Sequence, residues 1–181
     1  MYNRKSLFVT FEGIEGSGKS YQSKKLFNKI RSMGLPVIYS REPGGSTSAE
    51  KIRKIILTGP KNKFTKLTDA LLYLAARNEH LEKKLKPAIL KKKIIICDRF
   101  YDSTLAYQVY GGGVDKSFVD FAHKKILGNI KPDLTFILKL NLTKAFQRVS
   151  GRKNQNRYDK FPKKFYHEVQ KSFRKIAKTN K

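Results

Sequence analysis

No disulfide can form within this chain, because its 181 residues hold one cysteine, Cys97. That cysteine closes the apolar run Ile94-Ile95-Ile96-Cys97, where a thiol behaves as a small buried hydrophobe. The expectation is a reducing, cytoplasmic setting. Three histidines at scattered positions supply no spaced zinc-ligand set. No apolar stretch approaches the roughly 20 residues of a membrane span. The polar start Met1-Tyr2-Asn3-Arg4-Lys5-Ser6 leads straight into the first apolar run, so no signal peptide is expected. Acidic residues are scarce as well, with 14 Asp and Glu against 40 Lys and Arg, a net charge of +26. Such an excess invites a nucleic-acid reading. The lysines are scattered, however, as Lys24-Lys25, Lys83-Lys84, Lys91 to Lys93 and Lys163-Lys164, without a basic arm or stripe. The expectation is a lysine-rich solvated surface that attracts anions such as nucleotides and does not bind nucleic acid.

What the chain does carry is Gly13-Ile14-Glu15-Gly16-Ser17-Gly18-Lys19-Ser20, which reads G-x-x-x-x-G-K-S directly after the apolar run Leu7-Phe8-Val9-Thr10-Phe11. Strand, glycine-rich turn and helix are the context that a phosphate-binding loop requires. Its backbone N–H groups point at phosphate oxygens, and the helix that follows adds its positive end. Lys19 is expected to reach the β- and γ-phosphates, and Ser20 to hold Mg²⁺.

The rest of the sequence alternates strand and helix signals. Strands are predicted at 7–11, 36–40, 94–97 and 134–140. Helices are predicted at 19–32, 48–57, 68–90 with a bend near Pro87, 101–109, 115–127, 143–150 and 162–178. Ile52, Ile55 and Ile56 are expected on the buried face of the second helix. A basic loop at about 150–160 carries Arg148 at its edge, then Arg152, Lys153 and Arg157, and is expected to act as a lid. Alternating strands and helices imply βαβ units. The expected fold is a single α/β domain, residues 1–181, with a parallel sheet flanked by helices on both faces.

Two further elements fall at the carboxyl ends of strands, where ligands bind in open α/β sheets, and two more lie on helices. Asp98-Arg99 follows the third strand. The carboxylate stands where a Mg²⁺-organising group is needed, and the arginine offers a fixed fork of donors to a phosphate. Arg41-Glu42-Pro43-Gly44-Gly45 follows the second strand, its tight turn holding Arg41 over the cleft. Tyr73 and Arg77, four apart on a helix, are a candidate pair for stacking on a base and bonding its edge. Ser103, Tyr107 and Gln108 lie just before Gly111-Gly112-Gly113.

These motifs, in this order and approximate spacing, resemble bacterial thymidylate kinase, a P-loop nucleoside monophosphate kinase, from about residue 7 to 177. Arg41 to Gly45 together with Ala106-Tyr107-Gln108 carry the resemblance more specifically than the phosphate loop does. The resemblance implies the three-layer P-loop NTPase sandwich and transfer of the ATP γ-phosphate to dTMP with Mg²⁺, in a cytoplasmic homodimer that meets through helices such as 68–90. It implies that Gly13, Ile14, Glu15, Gly16, Ser17, Gly18, Lys19 and Ser20 bind ATP, and that Ser20 and Asp98 serve the metal. Glu15 would face the acceptor sugar. Arg41 and Arg99 would hold the dTMP phosphate, Tyr73 would stack on thymine where the family usually has Phe, and Arg77, Ser103 and Gln108 would contact the base. Tyr107 would lie against the deoxyribose, and Arg152 and Arg157 would be lid arginines beside the catalytic Lys19, Glu15 and Arg99. The family usually adds a fifth strand and a final helix, which this sequence, ending at Lys181, lacks. Its lid also reads Asn156-Arg157-Tyr158-Asp159 where Asp-Arg-x-Glu is commoner.

Two other readings remain open at this level. A deoxynucleoside kinase, or a kinase for another nucleoside monophosphate, fits the same fold. A nucleoside kinase needs a carboxylate base over the acceptor hydroxyl, and Glu42 is the residue to suspect. A basic nucleic-acid-binding P-loop protein would show steeply salt-dependent DNA binding.

Overall fold

The computed structural model describes residues 6–151 and 155–179. Its strands are β1 (Phe8–Glu12), β2 (Val37–Arg41), β3 (Ile94–Asp98) and β4 (Leu134–Ile137). They form one parallel sheet in the order β2-β3-β1-β4. Helix α1 (Lys19–Ser32) leads from β1 to β2, and α2 (Thr47–Leu57) and α3 (Lys66–His80) lie between β2 and β3. Beyond β3 come α5 (Tyr101–Thr104) and α6 (Lys116–Leu127), and beyond β4 come α7 (Leu142–Ser150) and α8 (Lys163–Thr179).

Side-chain alternation explains why the central strands are mostly apolar. Phe8, Ile95 and Cys97 point to one face and pack with Leu81, Leu85, Phe100 and Leu127. Val9, Phe11, Ile94 and Ile96 point to the other, against Leu26, Phe27 and Ile30 of α1. A parallel strand covered on both faces is apolar on both, save where a polar side chain is hydrogen-bonded, as Thr10 and Glu12 of β1 are. The expected three-layer architecture follows.

Register positions the chemistry. Asp98 pairs with Phe11 on one side and Arg41 on the other. The carboxyl ends of β1, β2 and β3 are therefore level, so the phosphate loop, Asp98-Arg99 and Arg41 emerge along one edge of the sheet.

The long helix predicted at 68–90 is α3, a π-helical turn at Leu81–Leu85, and α4 (Lys86–Leu90). Thr65 caps its start through Thr68 N–H. Pro87 has no N–H for an i→i−4 bond, and the turn before it widens. The helix predicted at 101–109 likewise passes from α5 into a π-helical run, Leu105–Gly111. Strand β4 stops at Ile137, short of the predicted 140, because β1, its partner, ends at Glu12. On α2, Ile56 is buried but Ile55 is 46% exposed, contrary to expectation. The buried stripe runs through Ala49, Ile52 and Ile56, and Arg53 falls within it.

Candidate active site

The phosphate loop is shaped by close backbone approaches. Gly13 has φ 136°, and a Cβ there would lie 2.5 Å from the Leu138 carbonyl oxygen. Gly16, at φ 75°, would meet the Ala145 carbonyl at 2.6 Å. Only glycine fits both contacts and both dihedrals. Ile14 is buried in the core and anchors the loop. Gly18 stands at the N-terminus of α1. Lys19 is buried, its Nζ donating to the Ile14 carbonyl at 2.6 Å and to Ser17 Oγ at 3.4 Å. Burial, then the neighbouring Arg99 charge, pushes its pKa down to about 7 against the pull of Glu15 and Asp98. Phosphate oxygens placed there would restore its charge.

Ser20 Oγ donates to Asp98 Oδ2, joining the loop to the end of β3. Asp98 Oδ1 is buried without a hydrogen-bond partner among the described residues. A hydroxyl and a half-satisfied carboxylate are hard oxygen donors in the arrangement that Mg²⁺ takes beside substrate phosphates. Among the described residues no cluster of three His, Cys, Asp or Glu could hold a metal on its own.

Arg99 sits in the left-handed region at φ 73°, rare for a side chain that is not glycine. Its backbone N–H is tied to the Phe11 carbonyl at 2.9 Å. From there the guanidinium reaches Gly13 O at 2.8 Å, Ser103 Oγ at 3.0 Å, Glu15 Oε1 at 2.9 Å and Tyr107 Oη at 3.2 Å. Tyr107 Oη in turn donates to Glu15 Oε2. Burial would raise the Glu15 carboxyl, but Arg99, Lys19 and the Tyr107 hydroxyl overcome it and hold the group ionised.

These groups line a cleft of about 460 Å³ that also takes in Arg41, Glu42, Arg53, Tyr73, Gln108, Arg148 and Tyr158. Arg41 is half-exposed and paired with Glu50 at 3.0 Å. Arg53 donates to the Pro43 carbonyl at 2.6 Å. Burial and the Arg41 charge lower its pKa. Sequence reasoning passed over Arg53, although a cation in the apolar stripe of α2 was a readable signal. Tyr73 presents its ring to the cleft and meets Tyr158 edge-on at 6.1 Å.

Three expectations change. Arg77 is not on the cleft wall. It is 2% exposed, and its donors go to Glu42 Oε2 at 2.8 Å, Thr104 Oγ1 at 2.9 Å, His123 Nε2 at 2.6 Å and Phe100 O at 3.1 Å. A second contact to Glu42 at 2.7 Å leaves no donor for a base edge in this conformation. Ser103 lines the cleft, but its hydroxyl donates to Glu12 Oε2 at 2.6 Å and accepts from Arg99. It braces Arg99 instead of facing a base. Arg157 is buried under the lid, paired with Asp69 and lying over the Phe64 and Tyr158 rings. In this conformation it does not approach the phosphate loop. Arg152 lies outside the described residues. Arg148 is the arginine that does reach the loop, donating to Gly16 O at 3.1 Å.

Glu42, the suspected base of a nucleoside kinase, is buried between Arg77 and His80 Nδ1, the latter at 2.9 Å. Burial would raise its carboxyl, yet these two partners hold it low. A carboxylate so held is a poor proton acceptor.

A donor loop facing a cationic acceptor basin, on a parallel sheet of this order, is the arrangement of a P-loop nucleotide kinase. Comparison with known proteins narrows that class. The chain belongs to the thymidylate kinase family, whose sequence profile matches residues 11–181. It is 43% identical over 174 residues to the thymidylate kinase of Wolbachia pipientis wMel, covering 94% of this chain and 85% of the relative. It is 39% identical over 175 residues to that of Pelotomaculum thermopropionicum, covering 96% and 81%. The crystal structure of thymidylate kinase from Ehrlichia chaffeensis superposes with a TM-score of 0.80 at 36% identity, over 97% of this chain and 89% of that one.

Proposed function

We propose that this chain transfers the γ-phosphate of ATP to dTMP, giving dTDP and ADP. The observation that carries the reading is the position of Arg99. It spans from the donor loop at Gly13 and Glu15 to the acceptor wall at Tyr107. One guanidinium there can bridge the acceptor phosphate and the transferring group.

The chemistry asks for little acid–base help. An acceptor phosphate oxygen, already ionised, forms the new bond to the γ-phosphorus as the bond to the β–γ bridging oxygen breaks. No proton has to leave a hydroxyl, which agrees with the ion-paired state of Glu42. Rate enhancement then comes from positioning and charge neutralisation. Gly13 to Ser20 seat the donor phosphates, with Lys19 charged once they are bound. Arg41, Arg53 and Arg99 hold the acceptor phosphate. Glu15, kept ionised by Arg99 and aligned by Tyr107, faces the acceptor sugar. Tyr73 supplies a ring for the base to stack on. Ser20 and Asp98 would hold Mg²⁺, which would supply further neutralisation of developing charge. Arg148, on the last turn of α7, closes the donor side.

The enzyme is proposed to work in the cytoplasm as a homodimer through the outer face of α3, where Leu67 and Leu71 are exposed. Among the described residues no helix is long and apolar enough to cross a membrane.

The test is an acceptor panel. With ATP and Mg²⁺, ADP release should be fastest with dTMP among dTMP, dUMP, dCMP and thymidine. A higher kcat/KM for thymidine than for dTMP would overturn the reading in favour of a nucleoside kinase.

A further inference from the structure

We propose that His80 is a positioning residue of the acceptor site, clamping from the buried side the turn 41–45 that sets Arg41 and Arg53 on the acceptor phosphate. The inference rests on the acceptor reading above. It concerns His80 and Ser40, to which the sequence assigned no role.

His80 is fully buried where α3 passes into the π-helical turn. Its contacts go to the end of β2 and the turn that follows. Nε2 lies 2.5 Å from Ser40 Oγ, and Nδ1 lies 2.9 Å from Glu42 Oε1. Glu42 is ionised and can only accept, so Nδ1 donates. A serine hydroxyl can donate or accept, so Ser40 completes the bonding at Nε2 whichever role that nitrogen takes. One imidazole thereby joins the residues on either side of Arg41. Gly45 closes the turn against the same ring. Its φ is 91°, and a Cβ there would lie 2.5 Å from His80 Cδ2, 2.6 Å from His80 Nε2 and 2.5 Å from Ser40 Oγ. The ring and the second glycine of Gly44-Gly45 fit together only as a pair.

The turn so held delivers two cations. Arg41 leaves it directly for the cleft, and Arg53 is tied to it through the Pro43 carbonyl at 2.6 Å. On the outer side Glu50 accepts from Gly45 N–H at 2.9 Å and pairs with Arg41 at 3.0 Å. That ion pair is exposed at both partners, and such pairs constrain little. The inner clamp is buried with both ring nitrogens engaged, and a satisfied buried network is rigid. The residue before His80 adds a tether, the Glu79 carbonyl accepting from Ser46 Oγ at 3.2 Å. Neither hydrogen bond of the His80 ring goes to the phosphate loop, so its influence falls on the acceptor side.

The experiment measures the affinities of dTMP and of thymidine, which lacks the phosphate, by isothermal titration calorimetry. The proteins are the wild type, His80→Ala, His80→Asn and Ser40→Ala, with thermal melts as the check on folding. His80→Ala removes both hydrogen bonds. Ser40→Ala removes one hydroxyl, so it remains informative where His80→Ala fails to fold. The expected result is a fall of roughly tenfold or more in the dTMP-to-thymidine affinity ratio in His80→Ala and of about threefold in Ser40→Ala, with the affinity for ATP kept, because displaced arginines lose the phosphate alone. His80→Asn, whose amide can still donate to Glu42, should recover part of the ratio. Equal losses on both ligands, or a ratio kept in the variants that fold, would reduce His80 to a structural support and overturn the proposal. A wild type that binds thymidine as tightly as dTMP would instead refute the acceptor reading on which it rests.

Discussion

Glu12 ends β1 directly below the phosphate loop and is fully buried. It accepts from Phe100 N–H at 2.7 Å and from Ser103 Oγ at 2.6 Å, so it braces the turn that presents Arg99. Burial, reinforced by the nearby Asp102 charge, pushes its pKa from the ordinary 4.5 up to about 8. The consequence for stability has a definite sign. Between pH 4.5 and 8 the unfolded chain releases this proton while the folded chain keeps it. The folded state binds more protons across that window, so the Glu12 contribution is complete below 4.5 and is lost as pH rises towards 8. Glu12→Gln keeps the shape and the Phe100 contact without the ionisation. Its melting temperature minus that of the wild type should be flat in acid and climb between about pH 5 and 8, in line with that linkage. Thermal denaturation of both proteins in a buffer series measures it, and a difference that does not vary with pH would mean Glu12 ionises normally.

Two arginines of the lid region show how position within an element decides a residue's part. Arg148 lies on the last turn of α7, exposed, with its fork at the phosphate loop. Arg157 lies nine residues further on in a short 3₁₀ turn, Arg157–Lys160, and is buried against Asp69. Arg148→Ala should raise the KM for ATP or lower kcat several-fold with little change in the denaturation midpoint. Arg157→Ala should cost about 3–5 kcal/mol of stability, because it leaves Asp69 without its counter-charge. Urea unfolding and steady-state kinetics on both variants test the contrast, and the opposite ranking would return Arg157 to the catalytic lid. Much of this level was legible beforehand. The phosphate loop, Asp98-Arg99 and the Arg41 turn stand at strand ends, and strand ends are readable from apolar runs. Arg77 was harder to place, though its burial lay within reach: Ala70, Leu74, Arg77 and Leu81 form one helical stripe of buried positions. Treating Arg77 as the companion of Tyr73 overlooked that stripe. Pro87 marked the widened turn at Leu81–Leu85 in advance, whereas the one at Leu105–Gly111 left no local mark, since an i→i+5 bond there is chosen by packing and not by propensity. The hydrogen bonds among Asp69, Tyr158 and Gln108 left no mark either, because they join three segments far apart in the chain.

At the scale of the whole molecule, the charge of +26 acts on folding and on binding in opposite senses. Lysines spread over every surface repel one another in the compact state, and unfolding relieves that repulsion. The cleft meanwhile gathers Lys19, Arg41, Arg53, Arg99 and Arg148 against Glu15, Glu42 and Asp98, so its field draws in anionic nucleotides. Salt screens both effects, the Debye length falling to about 10 Å at 0.1 M. Raising KCl from about 20 mM to about 200 mM should therefore raise the melting temperature of the nucleotide-free protein while slowing association of ATP and dTMP, both by screening. Stopped-flow binding of a fluorescent nucleotide and thermal melts, run in the same buffers, give the two slopes. A melting temperature that falls with salt would show that local pairs such as Lys86–Glu82 and Lys116–Asp120 outweigh the global repulsion. That outcome is disfavoured on magnitudes. Exposed pairs of this kind contribute about 0.3–0.5 kcal/mol each, whereas the unbalanced excess of lysine and arginine acts over the entire surface.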